Sequence, residues 1–197
     1  MRIAIALLLM VVFAASCKDD KQDNSGRPAE TRPAETKPAE TKPAATGLGS
    51  IAIPNARTAT DQILTGGQPT DEHLQQAKDN GVKVVVNLRT KAEESQYATE
   101  AAKVESLGMK YVTLPIDGKT GEGMNEENAK KLAELLAEKP VLVHCTSGER
   151  VGALFALKAF YVDKYPADAA LKVGKDNGLT MPKIEQMVAD IMAKAKG

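Results

Sequence analysis

The sequence from residue 50 to 197 predicts an α/β three-layer sandwich, with a central, largely parallel sheet flanked by helices. Three observations predict it. Short apolar or β-branched runs alternate with longer amphipathic stretches. Two of those runs, Val82–Leu88 and Val141–Val143, are nearly continuous in apolar residues, as strands buried on both faces must be. Gly or Pro marks many of the element boundaries. In order along the chain, Ile51–Ile53 and Ile63–Leu64 are short strand candidates, and Gly66-Gly67-Gln68-Pro69 is a turn signal. A helix over residues 70–80 turns Leu74 and Ala77 inward and stops at Gly81. After the Val82–Leu88 strand, Ala92–Leu107 reads as one helix ended by Gly108, and Lys110–Leu114 as a strand. Asp117–Gly123 is polar and Gly-rich, hence a loop. Asn125–Ala137 is helical with Ala129, Leu132, Leu135 and Leu136 on one face, and Pro140 leads into Val141–Val143. Arg150–Val162 and Ala167–Asp176 read as helices. In the last helix Ile184, Met187, Val188, Ile191 and Met192 follow the i, i+3, i+4, i+7, i+8 pattern.

Composition narrows the function. The 197 residues carry 26 basic and 26 acidic groups, so the chain has no general attraction for nucleic acid or an anionic membrane surface. Four Tyr, three Phe and no Trp argue against a base- or sugar-stacking platform. Two cysteines do not make a disulfide scaffold, and with two widely separated histidines they offer no metal site and no cofactor.

The first 49 residues are read as something other than fold. Met1-Arg2 precedes an apolar run from Ile3 to Ala15, shorter than the roughly 20 residues a membrane span takes. A basic start, a short apolar core and small residues before a break predict an export signal over residues 1–16. Ala14-Ala15-Ser16-Cys17 resembles the bacterial lipobox, with Ala14 where Leu is usual. That resemblance implies cleavage before Cys17 and a diacylglycerol on its sulfur, anchoring the chain to a bacterial membrane on the periplasmic side. Lys18 after the Cys favours the outer membrane. Residues 27–46 repeat a five-residue unit, RPAET, RPAET, KPAET, KPAAT. So little large apolar side chain cannot offset the entropy cost of folding, so residues 17–49 are read as a lipidated Cys plus a Pro-stiffened tether.

Chemistry concentrates in Val141-Leu142-Val143-His144-Cys145-Thr146-Ser147-Gly148-Glu149-Arg150-Val151-Gly152. A strand ends at a Cys, a compact polar loop follows, and a helix begins near Arg150. A loop running into a helix N-terminus points several backbone N–H groups at one spot and makes an anion site. Cys145 at its base meets those donors and the Arg150 charge, which favour thiolate over thiol. Arg150 can grip two phosphate oxygens in its planar fork, aiming the sulfur at the centre of the bound anion.

These residues resemble the cysteine-dependent protein tyrosine phosphatase superfamily, in particular its dual-specificity-like and small bacterial members. The resemblance runs over about residues 63–176, through Gly66-Gly67-Gln68-Pro69-Thr70, Val84-Val85-Val86-Asn87-Leu88-Arg89 and the His144 to Arg150 loop. It implies a phosphoric-monoester hydrolase acting on a phosphorylated protein or small phosphoester. Cys145 would attack phosphorus to form a phosphocysteine, while Arg150 binds the phosphoryl oxygens. Backbone amides of Thr146, Ser147, Gly148, Glu149 and Arg150 would complete the cradle, and His144 would orient the loop and help keep the thiolate.

Two departures keep alternatives open. Four residues separate Cys145 from Arg150 where that superfamily has five, and Val151 stands where Ser or Thr is common. A six-residue loop beginning with Cys also resembles rhodaneses, which implies a sulfurtransferase or persulfide carrier; a phospho-ligand binder without turnover is the third reading. Phosphate-ester cleavage, unlike persulfide transfer, needs a proton for the leaving oxygen. Asp117 lies 28 residues before Cys145 in the loop after the Lys110–Leu114 strand, comparable to the place of that superfamily's general acid. Asp117 is therefore the candidate acid and base, with Glu122 as substitute; the plainer reading of Asp117-Gly118 is a turn. Arg89 fits either the anion site or a structural ion pair, and His73 a solvated surface.

Overall fold

The structure, a computed structural model, describes residues 47–94 and 98–195; the expected leader, Cys17 and most of the repeat tether lie outside the described residues. A five-stranded sheet runs in the order β1-β2-β5-β3-β4, with β1 Arg57–Thr60, β2 Ile63–Gly66, β3 Val84–Asn87, β4 Lys110–Thr113 and β5 Val141–His144. β5 pairs in parallel with β2 on one side and β3 on the other, β4 runs parallel to β3, and only β1 is antiparallel. The three central strands β2, β3 and β5 are buried throughout, which their apolar runs require. Helices α1 Asp71–Asp79, α2 Lys91–Glu94, α3 Glu100–Ser106, α4 Glu126–Ala137, α5 Glu149–Tyr161, α6 Ala167–Asp176 and α7 Pro182–Lys194 complete the layers.

The sheet divides the core in two. Val84, Val86, Val141 and Val143 pack on one face with Leu132, Leu154 and Val188 from α4, α5 and α7. Leu64, Val85 and Leu142 face the other side with Leu74 of α1, Val104 of α3, and Ile51 and Ile53. Residues one apart on a strand point to opposite faces, so these runs feed both cores at once.

Local chemistry sets the helix starts. Thr70 caps α1 in a reciprocal box: its side chain accepts the His73 N–H at 3.3 Å and its own N–H donates to His73 Nδ1 at 3.1 Å. His73 is thus a capping residue rather than a merely solvated one. Asn125 caps α4 by accepting the Asn128 N–H at 2.9 Å. A cis Lys139–Pro140 bond leads into β5.

Two expectations are corrected. Ile51–Ile53 is extended but unpaired, and serves as core packing; the strand beside β2 is Arg57–Thr60, polar and mostly exposed because it lies at the sheet edge. The single helix expected over 92–107 is split into α2 and α3. The split has a physical reason. Glu93 and Glu100 are seven apart, which on one continuous helix would place them on the same face; instead they serve two separate sites.

Gly152 brings α5 and α6 together. A Cβ there would stand 2.3 Å from the Leu179 N and 2.6 Å from the Gly174 O, so any side chain would push the pair apart. This contact fixes the α6–α7 connector, residues 177–181, beside the start of α5.

Candidate functional site

The chain ends of β2, β3 and β5 open on one edge of the sheet, where an α/β fold gathers its ligands. There the sequence leaves β5 at His144 and enters α5 at Glu149 with only Cys145 to Gly148 between them. Gly148 takes φ +95°, a conformation open to glycine, and turns the loop into the helix. The carbonyls of Thr146 and Ser147 are held outward: Thr146 O accepts the Gln68 N–H at 3.1 Å and Ser147 O the Asn55 side-chain amide at 2.9 Å. Each peptide's N–H opposes its carbonyl, so the amides of Ser147 and Gly148 turn inward. The Gly148 N–H donates to Cys145 Sγ at 3.0 Å. Gly148 O accepts the Gly152 N–H and begins the helix.

Cys145 is fully buried at the floor of this loop. Arg150, the second residue of α5, reaches back over it. Its Nη1 donates to Ile116 O at 3.0 Å, and its Nη2 to Thr146 Oγ1 at 2.9 Å. A cavity of about 430 Å³ lies above, lined by Arg150, Ser147, Glu93, Asp117, Met181 and Ile184 among others. The sequence-predicted residues Cys145, Thr146, Ser147 and Gly148 therefore form one loop that runs directly into Glu149 and Arg150 at the start of α5, and Asp117 lies on the cavity wall. Glu122 lines an adjoining cavity of about 620 Å³, which Asp117 also borders.

Glu93 was not legible as a site residue. Its carboxylate takes Arg150 Nη1 and Nη2, both at 2.7 Å, and accepts from Thr146 Oγ1 at 2.9 Å. The Arg150 fork, working against burial and joined by Thr90 and Thr146, holds the Glu93 carboxyl far below the usual carboxylate range. Burial opposes the charge of Arg150, but Glu93 and the Cys145 sulfur outweigh it and raise its pKa further.

Asp117 is occupied with its own turn. Its Oδ1 accepts the Lys119 N–H at 2.6 Å and the Thr120 N–H at 3.1 Å. Those two donors, with the charges of Lys119 and Arg150, lower its pKa below the ordinary aspartate value of 3.8. Glu149 directs its carboxylate to the α6–α7 connector: it accepts the N–H groups of Thr180 and Met181, each at 2.8 Å, and the Thr180 hydroxyl. Val151 points into the core and puts no hydroxyl near the sulfur.

Behind the loop lies a buried polar cluster. Arg89 is fully buried and its Nη2 donates to Glu100 Oε1 at 2.8 Å, which makes it a structural ion pair. Glu100 also accepts from Tyr111 Oη at 2.8 Å and from the Gln68 side chain. His144 Nε2 stands 3.2 Å from Glu100 Oε1, close but without the alignment of a hydrogen bond. Burial would raise the Glu100 pKa; the adjacent His144, with Gln68 and Arg89, outweighs it and holds the group at about 2. The residue before the Cys thus rests on a charge that the local pattern of α3 gave no sign of.

Known proteins agree with this architecture. The family described as a DSP-PTPase phosphatase fused to NAD+ kinase matches residues 50–188. Beta-lactamase hydrolase-like proteins of Xylella fastidiosa are 28% identical over 127 residues, 61% of this chain, and the match spans 28% of the length of those curated relatives. A Shewanella putrefaciens protein assigned as a phosphatase superposes with TM-score 0.55 at 22% identity, covering 73% of this chain and 94% of that one. The active form of Tk-PTP superposes with TM-score 0.57 at 19% identity, covering 72% and 97%. At these identities the structural likenesses show the fold.

Proposed function

The chain belongs to this family of DSP-PTPase phosphatase domains, and from that premise we propose that it hydrolyses phosphoric monoesters through a phosphocysteine on Cys145. The observation that carries the proposal is the joint placement of Cys145 Sγ, the Gly148 N–H that reaches it at 3.0 Å, and Arg150, which lies beside that sulfur and lines the cavity. A phosphoryl group there meets a nucleophile below, amide donors around and a planar cationic fork beside it.

Two displacements account for the reaction. Cys145 Sγ attacks phosphorus, the bond to the ester oxygen breaks, and Asp117 gives that oxygen its proton. Water then attacks the phosphocysteine, Asp117 takes the proton, the S–P bond breaks, and phosphate leaves with the sulfur again a thiolate. Arg150 and the amides of Thr146 to Arg150 hold the equatorial oxygens in both steps. Glu93 keeps the guanidinium oriented while the site is empty, and His144 on Glu100 steadies the loop from behind. The turn favours the carboxylate form of Asp117, which suits the second step; in the first, the proton is carried by Oδ2, the oxygen that the Lys119 and Thr120 hydrogen bonds do not engage. Export and lipid anchoring through Cys17 to the periplasmic side of a bacterial membrane belong to the same proposal and rest on the leader sequence.

The experiment is phosphate release from an aryl phosphate by the freshly reduced full chain, with Cys145→Ser and Asp117→Asn alongside and thiosulfate plus cyanide as a second substrate. Phosphate release lost in Cys145→Ser supports the proposal. Thiocyanate formation without phosphate release contradicts it and points to sulfur transfer instead.

A further inference from the structure

The peptide between Ser147 and Gly148 is held from both sides. On the inner side its N–H, that of Gly148, donates to Cys145 Sγ at 3.0 Å. On the outer side its carbonyl, that of Ser147, accepts the Asn55 side-chain amide at 2.9 Å, across 92 positions of chain. One peptide group thus connects an exposed side chain to the buried sulfur. Because that group is planar, its two hydrogen bonds depend on each other. A carbonyl that swings away from Asn55 takes the N–H off the sulfur.

The chain around Asn55 is built for that reach. Pro54 and Asn55 are the central residues of a turn closed by the Ala56 N–H on Ile53 O at 3.1 Å. Asn55 takes φ +54°, and proline followed by a left-handed residue is the type II pattern. Ile53 is buried and roots the turn in the core, while the Gly67 N–H donates to Pro54 O at 2.7 Å and lays it along the end of β2. A Cβ on Gly67 would meet Thr146 O at 2.8 Å and Pro54 O at 3.1 Å, so glycine is what lets turn and loop come this close. Among the described residues only Lys164 shares a positive φ without being glycine. A turn needing no more than its backbone shape is served better by glycine, which takes that φ without steric cost. What glycine lacks is the amide.

We infer that Asn55 is a positioning residue for Cys145: its left-handed turn aims the side-chain amide at the Ser147 carbonyl and so keeps the Gly148 N–H on the sulfur. The bond also polarises the peptide, which strengthens the donor on the far side. Water can satisfy the exposed Ser147 carbonyl once the amide is gone, but it cannot hold the peptide plane. The charged groups around the sulfur are Arg150 beside it, Glu93 on Arg150, His144 and Glu100 behind, and Asp117 on the cavity wall. None of them is altered by a substitution at Asn55, so a change in thiolate formation reports the peptide donor. The inference rests on the reading of Cys145 as the nucleophile, and its test reads the sulfur rather than turnover.

Thiolate absorbance of the full chain is followed against pH in the ultraviolet for the unaltered protein, Asn55→Gly, Asn55→Ala and Lys164→Gly. Cys145→Ser in each background is the blank, which also cancels Cys17. Denaturant unfolding is measured alongside. Asn55→Gly and Asn55→Ala should both move the thiolate midpoint upward by about half a pH unit, part of what one net hydrogen bond supplies. Lys164→Gly should leave it in place. Only Asn55→Ala, whose Cβ is penalised at positive φ, should also unfold at lower denaturant. An Asn55→Gly midpoint equal to that of the unaltered chain makes Asn55 a turn residue alone and overturns the inference, as does an equal shift in Lys164→Gly. A Cys145 that shows no titration in the folded, unaltered chain overturns the nucleophile reading and the inference with it.

Discussion

Two Glu–Arg pairs, Glu93 with Arg150 and Glu100 with Arg89, lie on either side of the same loop, with nearly equal N–O distances of 2.7 and 2.8 Å. Their settings differ. Arg89 and Glu100 are 0% and 4% exposed in their side chains, enclosed with His144, Tyr111 and Gln68; Arg150 and Glu93 are 10% and 32% exposed, at a cavity mouth. A buried pair cannot be separated without leaving a charge in the core. A pair at a mouth can exchange its carboxylate for an incoming anion at little cost, since water and ligand both reach it. The first pair is therefore a fixed foundation for the strand end that carries Cys145. The second stores the Arg150 fork in a form ready for use.

Breaking each side of that contrast gives effects of different kinds. Cys145→Ser takes away the nucleophile itself, and kcat should fall by at least about 10⁴, as loss of a nucleophile does elsewhere, with the folded fraction unchanged by circular dichroism. Glu100→Gln removes the carboxylate charge of the buried pair and should cost about 3–5 kcal/mol of stability in denaturant unfolding. The pH dependence has a definite sign. The Glu100 pKa falls on folding from 4.5 to about 2, so its stabilisation is fully present above 4.5 and is lost as pH falls through that interval. The Glu100→Gln chain should show a flatter stability curve there, and an unchanged acid slope would break the contrast.

Smaller effects sharpen it. Asp117→Asn should lower the rate on an alkyl phosphate by about 10²–10⁴, the range of general acid catalysis, and much less on a p-nitrophenyl ester, whose leaving group needs no proton. Because Asp117 titrates below its ordinary value of 3.8, the protonated form it needs as an acid disappears as pH rises, so alkyl phosphate turnover should decline from the acid side upward. Smallest of all, Glu93→Gln should change stability by less than about 1 kcal/mol and tighten sulfate binding a few-fold, since the resident carboxylate no longer competes for Arg150. Weaker sulfate binding would mean that Glu93 is foundation too, and the contrast would fail.

Much of the fold was legible because it is written in local pattern. The valines of β3, the Leu132 and Leu135 face of α4 and the periodic α7 each declare their burial within a few residues. β1 was not, since an edge strand of Arg57-Thr58-Ala59-Thr60 buries almost nothing and its pairing is with another segment. The site divides the same way. Cys145, Gly148 and Arg150 lie within six residues, and the chemistry of that spacing can be read directly. Glu93 meets Arg150 across 57 positions, and Glu100 meets His144 across 44, within what reads as one charged amphipathic helix. A carboxylate that pairs so far along the chain looks the same in sequence as one that faces water.

The most direct test is a rapid acid quench of the full chain during turnover of an aryl phosphate, followed by mass analysis of the peptide that contains Cys145. The account predicts that this peptide gains one phosphoryl group, with none on the same peptide of Cys145→Ser. An unmodified Cys145 peptide in a chain that is releasing phosphate would contradict it.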